Sequence, residues 1–129
     1  DVNVCGFSLG AASALEFATR RPVRKVALLA PFTSPLDMAR RTVFWPISEV
    51  LQDRFDNRDR LAELAQRPTP PRVLICHGTV DEIIPVARGR ELAADHPSFA
   101  TFREFPNVNH NWLPDAAREA VLELMASAS

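Results

Sequence analysis

Apolar positions in this chain fall into short continuous runs separated by stretches of helical spacing, with proline at many of the boundaries. Val2-Asn3-Val4-Cys5-Gly6-Phe7 is apolar without strict alternation and predicts a short buried strand. From Leu9 the spacing changes: Ala11, Ala12, Ala14, Leu15, Phe17 and Ala18 suit a helix buried on most sides. Arg20 and Arg21 stand where cations favour a helix C-terminus, and Pro22 prevents continuation. Val26-Ala27-Leu28-Leu29-Ala30 is a second strand-length run, closed by Pro31. Unalternated runs of this kind fit parallel strands covered on both faces.

Phe32 to Arg67 is broken by Pro35 and Pro46 into short helical pieces, with helical spacing at Ile47, Val50 and Leu51 and again at Leu61, Leu64 and Ala65. Pro68-Thr69-Pro70-Pro71 is a local connector to a third strand, Val73-Leu74-Ile75-Cys76, and to the turn His77-Gly78-Thr79-Val80-Asp81. Pro85 suits the first turn of a helix reaching about Ala94. Thr101-Phe102-Arg103-Glu104-Phe105 is the fourth strand. A Pro/Asn-rich loop from Pro106 to Leu113 then carries His110, and Pro114 opens a last helix with Ala117, Val121, Leu124 and Met125 on one face. Strands alternating with helices in this way imply an α/β fold of parallel βαβ units with right-handed crossovers.

Composition narrows the function classes. Fifteen Lys+Arg against 16 Asp+Glu in 129 residues leave a net charge of -1, with the basic residues dispersed. That is not the basic stripe of a nucleic-acid binder, and no nucleic-acid partner is expected. The longest stretch without a charged residue, Val2 to Leu15, is 14 residues, short of the ~20 that a membrane-spanning helix needs. Neither Cys5 nor Cys76 has a CxxC or Cys/His neighbourhood that would read as a metal site or a disulfide framework, so both are expected as buried thiols, with no metal site. A cytoplasmic location is the default expectation, and the oligomeric state is open.

The chemistry concentrates at three loops. Gly6-Phe7-Ser8-Leu9-Gly10 matches G-x-S-x-G, a nucleophile elbow, at a strand-to-helix junction. Such a sharp turn calls for small residues two before and two after the serine, and it lifts the Oγ above the sheet. Ser8 at a helix N-terminus also meets free N–H groups and the positive end of the dipole, with the Leu9 N–H as one oxyanion donor. Serine is a poor nucleophile near neutral pH and needs a base, which in turn needs an orienting carboxylate. Asp81 follows the third strand and His110 the fourth, so in a parallel sheet all three residues leave from its carboxyl edge.

The ordered set of G-x-S-x-G, H-G-x-x-D-x-x-x-P from His77 to Pro85, and a loop histidine resembles the α/β-hydrolase family over essentially the whole chain. Pro31-Phe32-Thr33-Ser34, Asp53-Arg54-Phe55-Asp56-Asn57 and His110-Asn111 resemble a narrower group, the depalmitoylase-like and serine aminopeptidase-like hydrolases. The resemblance implies a three-layer fold, with Ser8 as nucleophile, Asp81 as acid, His110 as base and the Leu9 N–H as half of the oxyanion hole. It implies no cofactor and a small-molecule or acylated substrate bound through an ester, thioester or amide. It also implies that residues 1–129 are part of an α/β-hydrolase domain, with the four C-terminal strands present, the N-terminal strands missing, and 32–67 a short helical insert over the site. Ala11 departs from the family, where many members have another glycine. The second oxyanion donor would come from an earlier loop. A catalytically silent binding or structural module is therefore the rival reading, and the 129-residue piece alone is expected to be poorly soluble or oligomeric and nearly inactive.

Plainer roles stand beside these. Ser8 could be an ordinary helix N-cap, and Asp81 turn or cap chemistry before Pro85. Glu82 is adjacent, and Asp37 is an alternative acid. His77, ending an apolar strand, reads as structural and hydrogen-bonded near the site, whereas His96 reads as a surface residue. Cys5 has no nearby base and reads as inert. Phe32, Trp45 and Trp112, with Phe44 and Phe55, could line an acyl pocket or simply pack the insert onto the sheet.

Overall fold

The computed structural model describes residues 2–31 and 57–127. Four strands, β1 (Asn3–Phe7), β2 (Lys25–Leu29), β3 (Arg72–Gly78) and β4 (Ala100–Phe105), form one sheet in the order β1-β2-β3-β4. Every neighbouring pair is parallel, with Asn3 opposite Lys25, Lys25 opposite Arg72, and Val73 opposite Ala100. The described helices are α1 (Leu9–Arg20), α2 (Asn57–Ala65), α3 (Val86–Ala94) and α4 (Leu113–Ala126).

Strand geometry sends successive side chains to opposite faces, and β2 shows the consequence. Its five residues are all buried. Val26 and Leu28 join Leu15 and Ala18 of α1, Leu61 and Leu64 of α2, and Leu92 of α3 on one face. Ala27 and Leu29 join Leu113, Ala117 and Leu124 of α4 on the other. The result is the expected three-layer α/β arrangement, with the small residues of α1 allowing that helix to lie close on the sheet. Asn57–Ala65, placed in an insert over the site by the sequence, is here a helix packed into the core beside α1.

β1 departs from the buried strand expected of it. It lies at the edge of the described sheet, and Asn3 and Cys5 are exposed. Cys5 faces a shallow cavity of about 300 Å³ shared with Leu29, Pro114, Val121 and Leu122. Cys76 is buried on β3 as expected, and burial pushes its thiol up to about 12.

Lys25 is a buried cation at the start of β2, only 4% exposed. Its Nζ donates to the Met125 carbonyl at 3.2 Å and to the Ser127 carbonyl, at the C-terminal end of α4, where unpaired carbonyls and the dipole favour positive charge. An Arg72 guanidinium N–H donates to Ser127 Oγ at 2.8 Å from the neighbouring strand. Lys25 thus ties the outer end of α4 to the sheet's centre. Lys25→Met removes the donors and leaves those carbonyls unpaired, so denaturant unfolding is expected to show a loss of about 1 to 3 kcal/mol; an unchanged midpoint and slope would contradict this role.

Candidate active site

Three loops leave the carboxyl edge of the sheet with the candidate residues on them: Ser8 after β1, Asp81 after β3 and His110 after β4. Ser8 has φ 57° and ψ -116°, a conformation that L-residues adopt only under constraint. The constraint is visible on both sides. The Ser8 N–H donates to the Leu29 carbonyl at the end of β2 at 2.8 Å, while Leu9 already begins α1. A Cβ on Gly6 would lie 2.2 Å from the Gly10 carbonyl oxygen, so β1 and the first turn of α1 can approach this closely only with glycine there. Gly10 differs from the sequence expectation, because a Cβ there would meet open space among the described residues. Ser8 also makes no side-chain hydrogen bond into its helix, which argues against the N-cap role and leaves its Oγ unspent. Leu9 is the first residue of α1, so its N–H has no acceptor within the helix.

Asp81 is the polar centre of the second loop, and its side chain has no exposed surface. Its Oδ1 accepts from the Ile83 N–H at 2.9 Å and the Ile84 N–H at 2.7 Å. Its Oδ2 lies 2.7 Å from His110 Nδ1 and 3.4 Å from His77 Nε2. Burial alone would raise the carboxyl pKa, but the hydrogen bonds from His77, Ile84, His110 and Ile83 outweigh it and hold the group at about 2. The turn reading and the acid reading of Asp81 are thus compatible: one oxygen shapes the loop and the other faces imidazole.

His110 is 5% exposed and bonds to Asp81 across 29 positions of sequence. With the carboxylate ionised, Nδ1 carries the proton, which leaves Nε2 as the free acceptor of the neutral ring. The ring packs on Phe7, with centroids 4.8 Å apart and planes at 35°. Phe7 immediately precedes Ser8, so the His110 loop, starting from β4, has reached back to the end of β1.

The loops that bring Asp81 and His110 together are fastened to each other. The Thr79 N–H donates to the Phe105 carbonyl at 3.0 Å, the Val80 N–H to the Val108 carbonyl at 3.3 Å, and the Asn107 N–H to Thr79 Oγ1 at 2.9 Å. A Cβ on Gly78 would lie 2.1 Å from the Val108 carbonyl oxygen, so this glycine lets the two loops touch. Gly78 belongs to the H-G-x-x-D-x-x-x-P motif but had no role assigned from sequence, and Thr79 was not singled out. The H-G step after an apolar strand was the available signal.

Trp112, predicted to bind substrate, lies on the same loop with 64% of its surface exposed. Phe32, Trp45, Phe44, Phe55 and the alternative acid Asp37 fall outside the described residues. Glu82 takes no part in the Asp81 hydrogen bonds, and His96 packs on Phe99 at the far end of α3. A cavity of about 770 Å³ lies at the amino edge of the sheet, lined by Val2, Val23, Arg24 and Pro68 among others, away from these loops. Among the described residues no group of three or more His, Cys, Asp or Glu side chains is placed to hold a metal ion. No described helix is long and apolar enough to cross a membrane.

The fold recurs in solved structures. The esterase domain of a Rhodothermus marinus protein superposes on 95% of this chain with a TM-score of 0.68 at 18% identity, and the chain spans 57% of it. An alpha-beta serine hydrolase homologue from Coxiella burnetii gives 0.60 over 99% of the chain at 21% identity, and the chain spans 50% of it. The fold is that of the α/β hydrolases. The chain spans only about half of each of these two relatives. No family model matches the sequence. Among curated proteins, the uncharacterized proteins MT2364 and Rv2307c of Mycobacterium tuberculosis are 32% identical over 107 residues, 82% of this chain and 36% of their own length.

The Asp81 carboxyl links the site to stability. Its pKa in the folded state, about 2, lies below the ordinary 3.8. The ionised form is therefore the one that folding favours. Its contribution, roughly 2 kcal/mol, is fully present above about pH 4 and is lost as pH falls through about 2. The stability gap between the parent and Asp81→Asn is expected to shrink as unfolding is measured from pH 6 down to pH 2. A gap independent of pH would contradict the assignment.

Proposed function

We propose that this chain carries the acylation machinery of a serine hydrolase acting on an ester, thioester or amide. The observation that carries the reading is the buried 2.7 Å contact between His110 Nδ1 and Asp81 Oδ2, made beside the strained turn that holds Ser8. The names of the structural relatives, an esterase domain and a serine hydrolase homologue, support the same class.

In this reading His110 Nε2 takes the Ser8 proton as Oγ attacks the acyl carbonyl carbon. Asp81 keeps the Nδ1 proton in place and stabilises the imidazolium that forms. The Leu9 N–H donates to the oxyanion of the tetrahedral intermediate. As that intermediate collapses, the bond to the alcohol, thiol or amine breaks, and the leaving group takes the proton from His110 Nε2. Water then attacks the acyl-enzyme with His110 again as base, releasing the acid and restoring Ser8. This chemistry requires no metal or organic cofactor. Trp112, on the His110 loop, contributes an apolar wall for the substrate, with Phe32 and Trp45 as the other proposed wall residues.

Labelling of the full-length protein with a fluorophosphonate tests the proposal. The parent is expected to be labelled, with Ser8→Ala reducing the labelling rate at least about 100-fold. Equal labelling of both proteins would refute Ser8 as nucleophile, and no labelling of a folded parent would favour a silent binding module.

A further inference from the structure

Two histidines face the Asp81 carboxylate, and the hydrolase reading employs only one. His77 sits at the carboxyl end of β3, with no exposed surface. Its Nε2 is 2.7 Å from the Ile84 carbonyl oxygen and 3.4 Å from Asp81 Oδ2. Its Nδ1 is buried with no hydrogen-bond partner among the described residues. A proton on Nδ1 would be a buried N–H without an acceptor, a costly arrangement. The ring proton therefore belongs on Nε2, where the Ile84 carbonyl accepts it, and the imidazole is neutral.

The neighbours fix that ring. Gly89 of α3 passes so close that a Cβ there would lie 2.7 Å from His77 Nδ1 and 3.0 Å from Phe102 Cε1. The helix thus lies flush against the imidazole and leaves no room for a side chain beside Nδ1.

Ile84 shows what the contact accomplishes. Its side chain is fully buried, its N–H donates to Asp81 Oδ1, and its carbonyl accepts from His77. Both polar backbone groups of one core-anchored residue are thereby used to close the acid turn. The turn is fastened to the end of β3 by a side chain of β3 itself. Without that fastening, the Asp81–Ile84 segment would lose its one side-chain tie from β3 and keep the buried Ile84 side chain, its own chain and the contacts of the adjoining loop.

We propose that His77 is a positioning residue: a neutral imidazole that pins the Asp81–Ile84 turn to β3 and so holds Oδ2 of the acid facing His110. The consequence for turnover rests on the hydrolase reading; the tautomer and the pinned turn do not. The depressed pKa of Asp81, to which the His77 imidazole contributes the first of the lowering effects, is in keeping with this role.

Three variants separate the donor from the bulk of the ring. Glutamine can place an amide N–H near the position of Nε2, asparagine only near that of Nδ1, and leucine offers no donor. In the full-length protein, with a p-nitrophenyl ester as substrate, His77→Leu and His77→Asn are expected to lower kcat about 10- to 100-fold with KM little changed, as for a misplaced catalytic group. His77→Gln is expected to recover kcat to within about threefold of the parent. Amide hydrogen exchange at Ile83 and Ile84 is expected to accelerate in the leucine and asparagine variants and to be restored in the glutamine variant. Equal activity and exchange in all three would overturn the proposal, as would a glutamine variant no better than leucine.

Nitrogen-15 spectra of the unaltered protein decide the matter even if the leucine variant does not fold. A neutral His77 with its proton on Nε2 supports the proposal, and a proton on Nδ1 or a charged ring overturns it. If fluorophosphonate labelling refutes Ser8 while His77 shows the Nε2–H tautomer and the exchange pattern holds, the hydrolase reading fails and the pinned turn stands.

Discussion

A carboxylate with no exposed side-chain surface remains an anion only if its oxygens are met by donors, and Asp81 achieves this with groups from three parts of the chain. Backbone N–H groups of its own turn meet Oδ1, while imidazoles from β3 and from the loop after β4 face Oδ2. Stripping such a group of its donors would leave an unpaired buried charge, a far larger penalty than the loss of an ordinary hydrogen bond. The loops after β3 and β4 are therefore tied to one charge as well as to each other. The position of His110 follows from that tie.

The sheet determines where the tie can form. Its four strands run parallel in sequential order, so every strand-to-loop exit falls on one edge. The His110 loop crosses from β4 to pack its imidazole on Phe7 of β1, two strands beyond its nearest neighbour in the sheet. Ser8 is held in a strained conformation by a hydrogen bond to the end of β2 and by close packing at Gly6. Strain of this kind persists where surrounding contacts over-determine the backbone. Here those contacts are the parallel register of β1 with β2 and the immediate start of α1.

Much of this was legible in the sequence. The unalternated run from Val26 to Ala30 implied a strand covered on both faces, and β2 is buried throughout. The positions of Ser8, Asp81 and His110 just after the first, third and fourth strands placed all three at one edge, because parallel strands leave no other arrangement. Other features depended on contacts that spacing does not encode. The burial of Lys25 is one of them, since the carbonyls that accept from it lie about 100 positions away at the end of α4. The run from Val2 to Phe7 signalled a preference for cover, but an apolar run does not identify the neighbouring strand, and Cys5 is exposed at the edge of the described sheet. G-x-S-x-G treats its two glycines alike, whereas only a Cβ at Gly6 would collide here. His77 read correctly as hydrogen-bonded near the site, but its partner, the Ile84 carbonyl, could emerge only from the folded turn.

The central claim is that a buried, ionised Asp81 holds the His110 imidazole by its Nδ1 proton before any substrate arrives. Proton NMR of the substrate-free protein, with nitrogen-15 labelling to assign the ring, tests it most directly. The account predicts an exchangeable proton bonded to His110 Nδ1, resonating well downfield of the amide region at neutral pH and moving or vanishing in Asp81→Asn. A His110 ring in the Nε2–H tautomer, with no downfield proton on Nδ1, would contradict it.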